Sequence, residues 1–210
     1  ATSPPDDEFT EYLRSISARV PVIVVDGSDP DTFEQSHRHW SEFAVHVAPD
    51  ETWACRNGKV WGAVTGLNLV TTPLAVLADD DVRYDADSFD RLVAALDTSD
   101  VVVPQNFFRP APWHARWDSA RTLLNRVTGG DFPGTIGLRV DALPGRRYEG
   151  DVLFENLELM RTAQAAGGTV ERRADLFVER RPPTTRHFLG QRVRQAYDEL
   201  ARPARFAVEL

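Results

Sequence analysis

The sequence predicts an α/β fold, a mostly parallel sheet flanked by helices. Short apolar, β-branched runs ("VPVIVV", "PLAVLA", "DVVVPQNF") are continuous rather than alternating, as in strands covered on both faces. Segments of helical spacing fall between them, and Asp, Asn or Gly stands at most of the junctions. Together these give alternation of strand and helix over the first half of the chain.

Taken in order, Asp6 or Asp7 is placed to cap a helix through "EFTEYLRSISA", whose Phe9, Tyr12, Leu13 and Ile16 share a face. "VPVIVVDGSD" reads as a strand feeding a turn at Asp26–Gly27–Ser28, followed by a helix over residues 32–43. "FAVHVAP" alternates as a strand, and "RNGKVWGAVTGLNLV" starts with an Asn-Gly turn before a helical stretch. "PLAVLADDD" is the third strand, "DADSFDRLVAAL" a capped helix, and "DVVVPQNF" the fourth strand. Beyond Phe107 the alternation weakens. "PAPWHARWDSARTLLNRV" reads as helix, "GGDFPGTIGLRVDALPG" as a glycine-rich loop, and "DVLFENLELMRTAQAAGG" as a helix closed by glycine. "TVERRADLFVERRPP" adds strand, and "HFLGQRVRQAYDELAR" is a last amphipathic helix. No repeat or linker marks a second domain, so residues 1–210 are expected to form one.

Composition narrows the function. The chain has 210 residues, 42% hydrophobic and 27% charged, enough for a core without a disulfide or structural metal. Its single cysteine, Cys55, suits a reduced, cytoplasmic setting. The net charge of −8 argues against general nucleic-acid binding, although arginines crowd the C-terminal part. No run reaches the ~20 apolar residues of a membrane span, and the N-terminus lacks a signal pattern. The piece therefore reads as soluble, and its loop-like "ATSPP" opening and uncapped "RFAVEL" close as an excised domain.

The residues that raise chemistry are Asp79, Asp80 and Asp81, directly after an apolar strand. Ligands of open α/β sheets sit outside the carboxyl ends of strands. In extended backbone Asp79 and Asp81 would share a face and Asp80 would point away. Two converging carboxylates raise one pKa or hold a cation, and a hard divalent ion completes its shell with phosphate oxygens and water. The plainer alternative is that the triplet only ends the strand in solvent, although Asp85 and Asp87 already serve to cap the next helix. Among other groups, His37 and His39 lie two apart and point to different sides of a helix. Trp113 and Trp117, four apart, share a face that serves packing or an acceptor floor. "GGDFPGTIG" lacks P-loop spacing.

In order along the chain, "VIVVDGSD", "NGKVWGAVTGLN", "LAVLADDDV", "GTIGLRVDAL", "FENLELMRTAQAAGG" and "QRVRQ" resemble the family 2 glycosyltransferases, nucleotide-sugar enzymes of the GT-A fold. The resemblance implies a single GT-A domain with a nucleotide-sugar-binding half over 1–106 and an acceptor half over 107–210. By this likeness Asp26 contacts the nucleotide base, and Lys59 borders the donor pocket. Asp79 and Asp81 match the DxD pair, the first near the ribose and the second on the metal, with Asp80 between them in the donor segment. Glu155 and Asn156 align with the family's Glu-Asp pair, and Gln191 and Arg194 with its Gln-x-x-Arg-Trp motif. The implied cofactor is Mn2+ or Mg2+, and the implied partners are a nucleotide-diphosphate sugar and a lipid or polysaccharide acceptor, in a parent anchored at the cytoplasmic face of a membrane.

Three departures stand out. Gln195 occupies the motif's tryptophan position; Asn156 replaces the family's basic aspartate, leaving Glu155 or Asp151 to accept a proton; and the family's opening strand is absent before "ATSPP". The resemblance implies a metal-dependent, inverting sugar transfer. An inactive scaffold of the same fold and a sugar-phosphate nucleotidyltransferase are the alternatives.

Overall fold

The computed structural model describes residues 7–127, 133–152 and 154–200, the side chains of 124, 125, 127 and 194–200 excepted. Helix α1 (Asp7–Ser17) begins with two acids, Asp7 and Glu8, whose charge suits a helix N-terminus. It buries Leu13, sets Phe9 edge-on to Trp40, and offers the Tyr12 hydroxyl to the Tyr84 N–H. Strands β1 (Ile23–Val25) and β2 (Val45–Val47) pair in parallel, joined by α2 (Pro30–Trp40). This helix starts two residues before the sequence suggests. Asp29 caps it by accepting from the Thr32 N–H, and Pro30 takes the first position, where no backbone donor is required.

Helix α3 (Gly58–Leu69) corrects the Asn-Gly turn. Asn57 is its N-cap, with Oδ1 accepting from the N–H groups of Lys59 and Val60. A five-stranded sheet follows, in the order β3 (Leu74–Ala78), β6 (Thr135–Arg139), β5 (Val101–Phe108), β7 (Val170–Arg180), β4 (Val82–Arg83). Helix α4 (Ala86–Ala95) is closed at its start by a reciprocal box between Asp85 and Ser88.

Strand β6 is the largest departure from the sequence reading, which placed a loop there. It runs antiparallel to both β3 (Leu74↔Arg139 to Ala78↔Thr135) and β5 (Val101↔Leu138, Val102↔Gly137), so β3 and β5 share a direction. Strand β7 follows β5 in parallel, with Val101 N–H donating to Thr169 O and the Asn106 amide to Val178 O. β3, β5 and β7 thus share a direction, and β6 runs against them. Glycine disguised that strand for a packing reason: a Cβ on Gly137 would lie 3.1 Å from Leu92.

Side chains of the central strands part into two cores, as a period of two requires. Val101, Val103, Ile136 and Leu138 join Leu67 of α3 and Leu159, Met160 and Ala163 of α6 (Glu155–Ala165). Val102 faces the other way, with Leu92 and Leu96 on the α4 side and Leu176 and Val178 of β7. Helix α6 starts at Glu155, four residues later than "DVLFENLEL" suggests, and Gly167 closes it at φ +89°.

The chain divides into two compact units, residues 1–106 with 132–178, and residues 107–131 with 179–210. The second contains α5 (Trp113–Val127) and α7 (Thr185–Leu200). There Phe188 is buried against Trp113 and His114, His114 Nε2 donates to Pro183 O at 2.8 Å, and Arg192 pairs with Asp118 at 3.2 Å. Trp113 and Trp117 remain mostly exposed. No described helix is long and apolar enough to cross a membrane.

Candidate active site

The end of β3, the first turn of α3 and the first residue of α6 converge on one ammonium group. Lys59 Nζ lies 2.7 Å from Asp79 Oδ1 and 3.0 Å from Glu155 Oε1. Both carboxylate side chains are 21% exposed, and the lysine 41%. A cation in the first turn of a helix works against the helix dipole, so Lys59 needs these anions to sit where it does. Burial pulls its proton affinity down, and Asp79 and Glu155 more than restore it, leaving the amine above the ordinary lysine range. Glu155 thus faces the Lys59 ammonium group.

Asp79 does not continue an extended strand into Asp80 and Asp81. Its own N–H donates to Gly134 O at 2.8 Å, and its carbonyl accepts from Val82 N–H at 3.1 Å, which closes a tight turn around Asp80 and Asp81. In this turn Asp79 and Asp81 are half-buried and Asp80 is exposed. The buried Arg83 knits the turn by donating to Asp80 O at 2.6 Å and Val82 O at 2.9 Å, while Glu8 grips its other side.

Tyr148, which sequence reasoning passed over, stands beside this group. Burial raises the Tyr148 hydroxyl well above its usual range, with Glu155, Cys55 and Asp79 adding to the effect. Gly150 leaves room for Cys55, because a Cβ there would fall 2.5 Å from the sulfur. Nothing in "GRRYEGD" marks Tyr148 as different from any loop tyrosine.

The remaining candidates have partners of their own. Asp151 is exposed, before α6, and accepts from the Arg56 N–H at 3.0 Å. Asn156 donates its amide to Pro133 O at 2.7 Å, anchoring the segment that leads into β6. Asp26, just past β1, accepts from Ser28 N–H at 2.9 Å and faces His46 Nε2 at 3.2 Å. Gln191 belongs to the second unit, where it contacts His187 at 3.0 Å and lines an open groove of about 410 Å³ with Thr184, Arg186, His187 and Gly190. The side chain of Arg194 lies outside the described residues. Among the described residues no three His, Cys, Asp or Glu side chains form a ready metal cage.

No protein-family model and no curated protein matches the chain. Solved structures do. A mannosyltransferase from Pyrobaculum calidifontis, in complex with GDP-Man and Mn2+, superposes with a TM-score of 0.65 at 19% identity over 92% of this chain. This chain spans only 59% of that protein's length. Mannosyl-3-phosphoglycerate synthase from Rubrobacter xylanophilus gives 0.57 at 15% identity, covering 97% of this chain and 70% of its own. Glucosyl-3-phosphoglycerate synthase from Mycobacterium tuberculosis, in complex with Mn2+, UDP and phosphoglyceric acid, gives 0.56 at 20% identity, covering 89% and 71%. The chain has the GT-A fold. Within it, Asp79 and Asp81 stand at the carboxyl end of a sheet strand, where ligands of open α/β sheets bind. At such identities the likeness establishes architecture, while the roles of the residues rest on their chemistry.

Proposed function

We propose that this GT-A domain transfers a sugar from a nucleoside-diphosphate sugar to an acceptor hydroxyl, with Mn2+ or Mg2+ as cofactor. The observation that carries this reading is the convergence of Lys59, Asp79 and Glu155 beside the Asp79–Val82 turn. The oxygen donors there suit a hard divalent ion, which takes one or two carboxylates and draws its remaining ligands from phosphate and water. Asp81, with Asp79, would hold it, and the ion would supply charge to the departing diphosphate.

The chain's own groups do the rest. Asp26 accepts from the nucleobase, and Asp79 with its neighbour Asp80 borders the ribose. Lys59 holds the Glu155 carboxylate in place and adds positive charge beside the phosphates. Glu155 accepts the proton of the acceptor hydroxyl as its oxygen bonds to the anomeric carbon, and the electron pair of the breaking C–O bond leaves with the diphosphate. Carried out as one in-line displacement, this step inverts the anomeric carbon. Glu155, rather than Asn156, supplies the base, because an amide takes no proton and Asn156 is spent on Pro133 O.

The acceptor belongs to one of two classes, a lipid or polysaccharide hydroxyl as the sequence resemblance implies, or a small phosphorylated acid like the ligand of the mycobacterial neighbour. The test is nucleoside-diphosphate release from UDP-glucose and GDP-mannose with and without Mn2+, over a panel of both acceptor classes. Metal-dependent release that Glu155→Gln abolishes supports the proposal. Release of pyrophosphate from a nucleoside triphosphate would assign a nucleotidyltransferase, and no release from any donor would assign a scaffold.

A further inference from the structure

His46 is the least expected polar group in the first unit. It projects from the middle of β2, its side chain is wholly buried, and nothing in "FAVHVAP" distinguishes it from a solvent-facing residue of an alternating strand. Its ring stacks on Phe33 at a centroid distance of 4.4 Å and meets Trp40 edge-on at 5.1 Å. An imidazole enclosed this way is costly unless both nitrogens are satisfied. Both are. Nε2 faces Asp26 Oδ2 at 3.2 Å, and Nδ1 faces His37 Nδ1 at 3.1 Å.

Hydrogen-bond chemistry fixes the protons. A carboxylate only accepts, so His46 Nε2 carries the hydrogen; in a neutral ring Nδ1 is then an acceptor, and His37 must donate from its own Nδ1. Burial lowers the proton affinity of His46 despite the opposing pull of Asp26, which agrees with a neutral ring. The Asp26 carboxylate is thereby held at both ends, Oδ1 by the Ser28 N–H at 2.9 Å and Oδ2 by His46. Only acceptor lone pairs are left on it, just beyond the carboxyl end of β1, and its side chain is 12% exposed.

We infer that His46 is a positioning residue for Asp26, with its tautomer set by His37, so that the carboxylate is locked as a fixed acceptor for an N–H of the donor's nucleobase. This rests on the donor-binding role proposed for Asp26. A core histidine without that task would be replaced by an apolar ring with no effect on nucleotide binding. A positioning histidine would not.

The test combines calorimetric titration of UDP and GDP, in the presence of Mn2+, with nitrogen-15 NMR of the imidazoles. In the wild type, His46 is expected as the Nε2–H tautomer, and a Nδ1–H tautomer would overturn the inference without any variant. His46→Phe fills the space without a donor and is expected to weaken nucleotide binding about tenfold, the loss of one charge-assisted hydrogen bond. His46→Gln, which keeps an N–H toward Asp26, recovers most of that. His37→Phe, at a partly exposed position less able to disturb folding, also binds more weakly than wild type. Asp26→Asn with His46→Phe is no weaker than the poorer single variant, because both remove the same contact. Wild-type binding with His46→Phe unimpaired would overturn the positioning role and leave the donor reading standing. No binding of either nucleotide to the wild type would overturn the donor reading, and this inference with it.

Discussion

Lys59 Nζ stands 3.0 Å from Glu155 Oε1 while also 2.7 Å from Asp79 Oδ1, so one side chain ties the end of a sheet strand to the start of a helix distant in sequence. The two carboxylates have the chemistry for metal and proton work, and the lysine allows them to lie close together without mutual repulsion.

Replacing Lys59 with Met removes that counter-ion. Turnover is expected to fall at least about tenfold, since Glu155 loses the contact that orients it. Stability is expected to fall by only about 1 kcal/mol, or ~2–4 °C in Tm, because the lysine is partly exposed and water screens the pairs it makes. Kinetics with a thermal melt checks both, and unchanged turnover would make the lysine merely structural.

Glu155→Gln keeps shape and hydrogen bonding but cannot accept a proton. A fall in kcat of about 10²–10⁴ with nucleotide affinity nearly unchanged is the expected result. Asp151→Asn, the other acid suggested by the sequence, is expected to cost less than about tenfold, because Asp151 is engaged with the Arg56 N–H. Parallel single-turnover measurements on the two variants decide which acid is the base.

Burial holds His46 below the ordinary histidine range, against the pull of Asp26 from the end of β1 and helped by His37 from α2; its other ring neighbours, Phe33 and Trp40, carry no charge. An unfolded chain protonates this imidazole near pH ~6.5, and the folded one only at a lower pH. Below that pH the unfolded state therefore binds more protons and stability declines, while above it the residue contributes no pH dependence. Denaturant titrations from pH 8 to 5 should show a slope in the wild type that is shallower in His46→Phe.

Gly137→Ala is expected to destabilise by about 1–3 kcal/mol, since the new methyl carbon would lie 3.1 Å from Leu92 in a filled core. Urea denaturation of the variant against wild type measures it.

How much of this was legible in sequence depended on whether the signal was local. The continuous runs of β1, β3 and β5 and the Asp85 cap announce themselves in a few residues. Strand β6 does not, because its glycine answers to Leu92, more than forty positions away, rather than to any local turn. Asn57-Gly58 has the composition of a hairpin turn, and only the backbone direction after it makes it a helix cap. The Asp79–Asp81 triplet was readable as a candidate site from its place after a strand. Its pairing with Lys59 and Glu155 was not, since periodicity carries no record of contacts between separate elements. His46 was hidden for the same reason, its partners coming from β1 and α2.

The central claim is that the strand-end carboxylates grip a diphosphate through a divalent ion, and Asp81→Ala tests it most directly. Titration of GDP and UDP into wild type and variant, with and without Mn2+, is the measurement. The wild type should bind at least one of them about tenfold or more tightly with Mn2+ than without, and the variant should lose that gain while keeping its fold. A variant that binds as tightly as wild type in the presence of Mn2+ would contradict the account.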